Sequence, residues 1–592
     1  MFLITTSMEE TWRDDVPILF LGEWCRRFDR REKWQSLDAV VMPYHWDDRE
    51  KLYDDYLYMD VLYEELLVEL AEQLNMLNGV NHSVRYWRIL VGPWLGYFVQ
   101  IVFDRWTMLR HALRDYEIVG ARVLLGAEER MIQNSMEEFQ WCFCDDPWNE
   151  AICGRLLDWM GVPIERIAGR FDRDSFSHRN EHSIGFKPYL RKTIVRAANL
   201  LSGLICFKRE YFFISSFLPV EQDLLLQWKL GQLPKRWRLE KVPRVSADHA
   251  ARERRTIVPD NMHDFPSVVR AMIQRYIPTA YLEGYQSLMT VIRKLPWPCM
   301  PKVIFTSNSH ASDDVFKAWA AGKVENGTPL VIGQHGGNYG MALWGFNEDH
   351  QIAISDQFLT WGWTESEQPK VFPVGNLKGF GRKIVSDKKG VALLVEMSMP
   401  RTSYHMYSVP VAHQWLDYFE DQCRFVQALP LVLQHQLLIR LFGTDFGWCQ
   451  KQRWQERFSH LRLDDGVQPM VSLMKQSRLL ISTYNATTYL ESMSFNIPTI
   501  MFWNPQYWEL RDSVQPFFDR LKSVGIFHDT PESAAKQMTE IWDDVDAWWQ
   551  SELVQCVRRE FCERYACIPE RPLDVMEKLF REVASQKLSR NK

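Results

Sequence analysis

The stretch that most restricts what this chain can become runs from Ser477 to Trp503, Ser-Arg-Leu-Leu-Ile-Ser-Thr-Tyr-Asn-Ala-Thr-Thr-Tyr-Leu-Glu-Ser-Met-Ser-Phe-Asn-Ile-Pro-Thr-Ile-Met-Phe-Trp. It reads as strand, polar loop, helix, turn, strand. Leu479–Ile481 is a short apolar run of the kind buried in a parallel sheet. Leu490 and Met493 share one face of a helix over Thr487–Ser494, which Phe495, Asn496 and Pro498 bring to an end. A strand that passes through a polar loop into a helix belongs to an open α/β sheet. The free N–H groups and positive dipole end of that helix start suit a phosphate-bearing ligand. Ser482, Thr483, Asn485, Thr487 and Thr488 are therefore candidate nucleotide ligands. Capping and turn chemistry is the competing reading, because Thr488-x-x-Glu491 also fits a capping box.

The same unit recurs along the chain. Phe2–Thr5, Ile18–Gly22 and Ala39–Met42 are short apolar runs, each followed by polar or aromatic residues. In a parallel sheet those ends gather along one edge, making Thr6, Glu23, His45, Trp46 and Asp47 candidates for an acceptor side. For Asp47 and Asp48, capping of the next helix is an equal alternative. That helix is long, with Leu52, Tyr56, Met59, Tyr63, Leu66, Leu70, Leu74 and Leu77 at helical spacing and Asn78-Gly79 closing it. Residues 50–297 read as a mainly helical insertion, with a basic, loop-like stretch around Arg170–Lys187. After Pro298 the pattern resumes. Lys302–Phe305 leads into a loop with His310, Asp313 and Asp314, and Pro329–Ile332 into Gly333-Gln-His-Gly-Gly-Asn-Tyr-Gly340. Phe358–Gly362 and Val371–Gly375 end at glycines, and Val385–Gly390 reads as a linker. A further series starts at Val391–Val395 and includes Leu437–Phe442. The expected architecture is α/β: two Rossmann-like domains facing across a cleft. These span residues 1–384, with the insertion, and 391–545, and helices over 546–592 pack back on the first.

Composition narrows the function. A net charge of −6 over 592 residues, with no long basic run, gives no footprint for nucleic acid. Ile89–Phe103, interrupted by Gly92, Pro93 and Gly96, falls short of the roughly 20 residues that span a bilayer. The start of the chain reads as a first strand rather than a signal peptide. The 11 scattered cysteines read as reduced thiols of a cytoplasmic protein, without zinc-finger spacing. There is no Walker-type loop, His-Glu-x-x-His, Gly-x-Ser-x-Gly or Gly-x-Gly-x-x-Gly after the first strand. What remains suits a metal-independent sugar-nucleotide transferase, in which helix dipole, backbone N–H groups and an Arg meet the donor phosphate.

Thr5-Thr6 with Trp12, Phe20-Leu-Gly-Glu-Trp-Cys25, Tyr44-His-Trp-Asp-Asp-Arg49, Gln334-His-Gly-Gly337, Arg440-Leu-Phe442 with Asp445-Phe-Gly-Trp448, and Thr483–Glu491 together resemble one family. It is the transferase family of bacterial O-antigen and surface-polysaccharide loci, first named from a leptospiral gene, and the resemblance covers nearly the whole chain. It implies a GT-B glycosyltransferase that takes a nucleotide sugar and a glycan or lipid-linked glycan acceptor, with peripheral membrane association and no cofactor. Gene neighbourhoods in the family imply a CMP-linked nonulosonic acid as donor, with a UDP- or GDP-hexose or an epimerase as the alternatives. Sialyltransferases of GT-B type carry a Ser-Ser/Thr pair around the CMP phosphate, and Ser482-Thr483 stand at the matching strand end. They also carry a His-Pro, and none follows Leu437–Phe442 here. In GT-B enzymes a Glu near this helix start binds the donor ribose, which implies that role for Glu491.

Arg440 sits in an otherwise apolar strand and needs an anionic partner, either a substrate phosphate or Asp445. Arg401 is a second phosphate candidate, with a solvated loop charge as the alternative. His335 is the first candidate base, with donor-phosphate binding or a histidine satisfied by backbone partners as the alternatives; His310 and Asp313 come next, helix capping being the alternative for Asp313, and Gln334, Gly336 and Gly337 lie on the acceptor side.

Overall fold

A computed structural model of the chain describes residues 1–126, 131–168, 209–404 and 406–590. Among these residues the strands form three sheets, parallel throughout. The first contains β1 (Phe2–Ile4), β2 (Ile18–Phe20), β3 (Ala39–Val41), β4 (Gly120–Leu124) and β5 (Ile164–Ile167), in the order β3-β2-β1-β4-β5. The second runs β10-β9-β8-β7-β6, from β6 (Tyr211–Phe213), β7 (Val303–Thr306), β8 (Leu330–Gly333), β9 (Gln357–Thr360) and β10 (Val371–Pro373). The third runs β13-β12-β11-β14-β15-β16, from β11 (Val391–Val395), β12 (Leu437–Arg440), β13 (Arg462–Asp464), β14 (Ser477–Ser482), β15 (Thr499–Phe502) and β16 (Phe527–His528).

The parallel α/β class is as expected, but the division into sheets is not. Strands before and after the 50–297 segment were expected in one domain, whereas they lie in separate sheets. The segment itself contributes β4, β5 and β6. These three strands are short. β4 and β5 also carry charge, and Arg122 reaches Glu165 on the neighbouring strand at 2.7 Å. Their apolar signal is therefore weak beside that of the flanking helices. The Arg170–Lys187 stretch lies outside the described residues.

The long helix spans Arg49–Asn78. Asp48 caps it by accepting the Lys51 N–H at 3.0 Å, and Gly79 closes it in the left-handed region at φ 64°. The apolar run that follows is split at Val91 into helices Val84–Leu90 and Gly92–Asp115, and the second is buried over most of its length. No helix among the described residues is long and apolar enough to cross a membrane.

The C-terminal helix, Pro572–Arg590, covers the second sheet. Leu573, Met576 and Phe580 are buried among Tyr211, Phe213 and Phe305, with the Phe213 and Phe580 rings 5.1 Å apart. Backbone bonds from Cys567 to Trp361 (2.8 Å) and from Asn376 to Cys567 (2.6 Å) bring the chain back to this lobe.

The third sheet meets both of the other lobes. Towards the first lobe, Arg49 pairs with Glu509 at 2.7 Å and donates to the Val409 carbonyl, while Arg401 pairs with Asp146. Towards the second, Ala342 and Leu510 form an antiparallel bridge, and Arg511 binds Glu348 at 2.6 Å. Loops at the C-terminal edge of the third sheet therefore face two different neighbours.

Removing the Phe580 ring should cost about 3–5 kcal/mol, as expected for large-to-small changes in a packed core. Phe580→Ala is predicted to speed amide hydrogen exchange in β6 and β7 while leaving β11 and β14 unchanged, as read by mass spectrometry.

Candidate functional site

The helix Thr487–Ser494 starts where the sequence places it, at the end of β14. Its N-cap is Ala486, which offers no side-chain acceptor, so the first-turn N–H groups have no side-chain cap. The capping-box reading is thereby corrected. Thr488 lies inside the helix, bonded to the Tyr484 hydroxyl at 2.7 Å, and Glu491 points away from its own N-terminus. Glu491 instead faces Lys378 of the second lobe at 3.7 Å. Burial raises its carboxyl pKa, opposed by Lys378 and Arg382.

The loop after β8 meets this helix start. Gly337 donates its N–H to the Thr487 Oγ1 at 2.8 Å. Gly336 has φ 143°, and a side chain there would collide with Thr487, so the close approach requires glycine. His335 stands beside this contact. Its ring stacks on Phe217, centroids 5.9 Å apart, and the Lys378 ammonium lies 5.2 Å from the same Phe217 ring. Phe217 itself has φ 58°, an unfavourable conformation for a bulky residue, in the loop that follows β6. The contact between the second and third lobes thus brings together Phe217, His335, Lys378, Thr487 and Glu491.

Several polar atoms around it are buried without a hydrogen-bond partner: His335 Nδ1, both ring nitrogens of His310, and Asp313 Oδ2. Burial, with Lys378 adding to it, pushes the His335 imidazole down to about 4. Burial and then His335 push His310 down to about 3. Both rings are therefore neutral near pH 7. Asp313 is pushed up to about 7 by burial, against the Phe316 N–H bond that makes it the cap of helix Asp314–Glu325.

Other expected donor ligands have internal partners. Thr483 Oγ1 donates to the Val395 carbonyl at 2.8 Å and contacts the Tyr418 hydroxyl at 2.5 Å, closing the gap between β11 and β14. Ser482 donates to the Tyr484 carbonyl at 3.2 Å, and Asn485 accepts from Tyr489 at 2.8 Å. Arg440 does not pair with Asp445. The parallel register sets it opposite Asp464, which it meets at 2.9 Å, while Asp445 caps helix Gln450–Arg457. Arg401 is not a solvated loop charge but a buried cation, held by Asp146 and by the Trp24 and Phe446 carbonyls.

The acceptor-side candidates do not converge on His335. Thr6, His45, Trp46 and Asp47 belong to the first lobe. Thr6 is fully buried, His45 binds Asp104 at 3.0 Å, and the Trp46 indole binds Asp55 at 2.8 Å. Glu23 pairs with Arg26, and Asp47 meets His413 at 3.3 Å across to the third lobe. Gln334 is a scaffold residue, whose side chain accepts from the Trp361 N–H and the Trp363 indole at 3.0 and 2.9 Å.

Three site residues were missed: Lys378, Phe217 and Glu396. Lys378 follows a Gly-terminated strand, the same signal that marked the other loops. Glu396 ends β11 beside the point where the strand order of the third sheet reverses, a common ligand position. One of its oxygens accepts from the Trp454 indole at 2.7 Å and the other is unpartnered, and burial pushes its pKa up to about 8.

Fold and site together define an α/β protein in which an uncapped helix start of the third lobe and Lys378 of the second lie beside a neutral histidine. Residues 1–580 match the family described as LIC12162 family transferase, and the chain belongs to that family. A comparison with curated proteins gave no match.

Glu396 yields a stability prediction. Its folded pKa lies above the ordinary 4.5, so the stability it contributes is present below that value and is lost as pH rises towards 8. Glu396→Gln keeps an acceptor for Trp454 without the titrating proton. Its melting temperature should match wild type at pH 4 and exceed it at pH 8, as read by scanning calorimetry.

Proposed function

We propose that this transferase is a glycosyltransferase of bacterial surface-polysaccharide synthesis, binding its nucleotide-sugar donor between the second and third sheets. The observation that carries this reading is the meeting of the Gln334-His-Gly-Gly337 loop with the uncapped start of helix Thr487–Ser494, with Lys378 beside it. A donor phosphate at that helix start gains N–H donors, the positive dipole end and the Lys378 ammonium. Glu491, released from Lys378 by the incoming phosphate, accepts from the ribose hydroxyls.

His335 is neutral and has an unpartnered Nδ1, so it takes the proton of the acceptor hydroxyl. As the acceptor oxygen bonds to the anomeric carbon, the bond from that carbon to the donor phosphate breaks. The phosphate leaves with the electron pair, stabilised by the same cation and dipole. A carboxylated nonulosonic acid delivered from CMP is the donor we favour, as the family resemblance implies. A UDP- or GDP-linked hexose is the alternative. We place the reaction in the cytoplasm, where nucleotide sugars are made.

Thermal-shift measurements with CMP, UDP, GDP and dTDP test the donor site. CMP is expected to stabilise the chain most, and Lys378→Ala to abolish the shift. Preference for UDP or GDP would replace the nonulosonic donor by a hexose, and no response to any of the four would overturn the donor reading. With the donor identified, His335→Ala should lower turnover by on the order of 10²–10⁴-fold while leaving the nucleotide shift intact.

A further inference from the structure

A second chamber opens from the same edge of the third sheet, on the side facing the first lobe. It encloses about 530 Å³, within the usual range for a small-molecule site. Loops after β11 and β12 supply one wall, and the segment around Trp141–Asp146 supplies the other. β12 and β14 both flank β11, so the outer strands that lead into the two sites lie two strand spacings apart, about 10 Å.

Its lining differs from that of the donor cleft. Phe143 of the first lobe and Tyr404 of the third stack face to face, centroids 5.2 Å apart and planes within 6°. Trp141 and Phe442, one from each lobe, are 49% and 43% exposed, although most aromatic rings of this chain are buried. The Arg401–Asp146 ion pair joins the two walls, and Ser7 donates to Asp146 at 2.7 Å. Arg401 also holds the Phe446 carbonyl at 3.2 Å, and Phe446 has φ 53°, a strained conformation in a loop lining the chamber.

The charges here are balanced. Arg401 is matched by Asp146, and the other guanidinium of the lining, Arg27, by Asp29 at 2.7 Å, so a phosphate gains little. Exposed aromatic faces together with a fixed carboxylate and guanidinium suit a ligand with apolar ring faces and many hydroxyls. We propose that this chamber is a carbohydrate subsite, which seats a neutral sugar unit of the acceptor against Trp141 and Phe442 with its hydroxyls towards Asp146 and Arg401. The acceptor role rests on the glycosyltransferase reading; the sugar-binding role does not.

Saturation-transfer NMR on the full chain tests the proposal, with N-acetylglucosamine, galactose, rhamnose and lactose as probes. Transfer to the ring protons of at least one sugar is expected. Its affinity should fall at least tenfold in Trp141→Ala and in Phe442→Ala, and stay unchanged in Lys378→Ala. Both substituted rings are exposed, and circular dichroism checks that the variants fold. No transfer to any of the four sugars, or transfer that survives the double variant, overturns the proposal. The nucleotide thermal shift, run in parallel, separates the two readings. Nucleotide binding without sugar binding removes the subsite and leaves the donor cleft. Sugar binding without nucleotide binding keeps the subsite and removes the donor cleft. Loss of the nucleotide shift in Phe442→Ala makes the chamber a nucleotide site and overturns the proposal.

Discussion

Glu509 is where all three lobes meet. Its carboxylate forms a two-pronged pair with the buried guanidinium of Arg49 from the first lobe, at 2.7 and 2.8 Å. Its carbonyl accepts the Leu343 N–H from the second lobe at 2.9 Å and the Ser408 hydroxyl at 2.7 Å. Breaking such a pair by removing one partner strands a buried charge, at a cost of about 3–5 kcal/mol. Because both candidate sites lie between lobes, their geometry depends on this junction rather than on any single sheet.

The third sheet can serve two clefts because its strand order reverses beside β11. Loops after β11 and β12 turn to the first lobe, and the helix after β14 turns to the second. Thr483 and Tyr418 tie β11 to β14 through the Val395 carbonyl and the Met397 N–H, so the two openings share one rigid wall. If the proposed glycosyl transfer takes place here, the shared wall fixes the distance between donor and acceptor.

Local signals survived the passage from sequence to structure, and pairing signals did not. The helix Thr487–Ser494 and the strand Val391–Val395 occupy the residues that their apolar spacing and terminators indicate. The Gln334-His-Gly-Gly337 loop lies against the helix start because its glycines permit that approach and no side chain would. By contrast, the partner of Arg440 depends on strand register, which apolar runs do not encode. The division of the N-terminal strands into two sheets was hidden for the same reason. Lys378 carries no periodic signal, and its role appears only when two lobes are brought together.

The central claim is that a nucleotide binds between the second and third sheets. Hydrogen exchange read by mass spectrometry tests it most directly, comparing the free chain with the chain saturated by whichever of CMP, UDP, GDP or dTDP stabilises it. The account predicts slowed exchange in residues 334–340, 376–382 and 484–492 together, since one ligand touches all three. Protection confined to residues 441–448, or absent from both lobes while the nucleotide is bound, would contradict it.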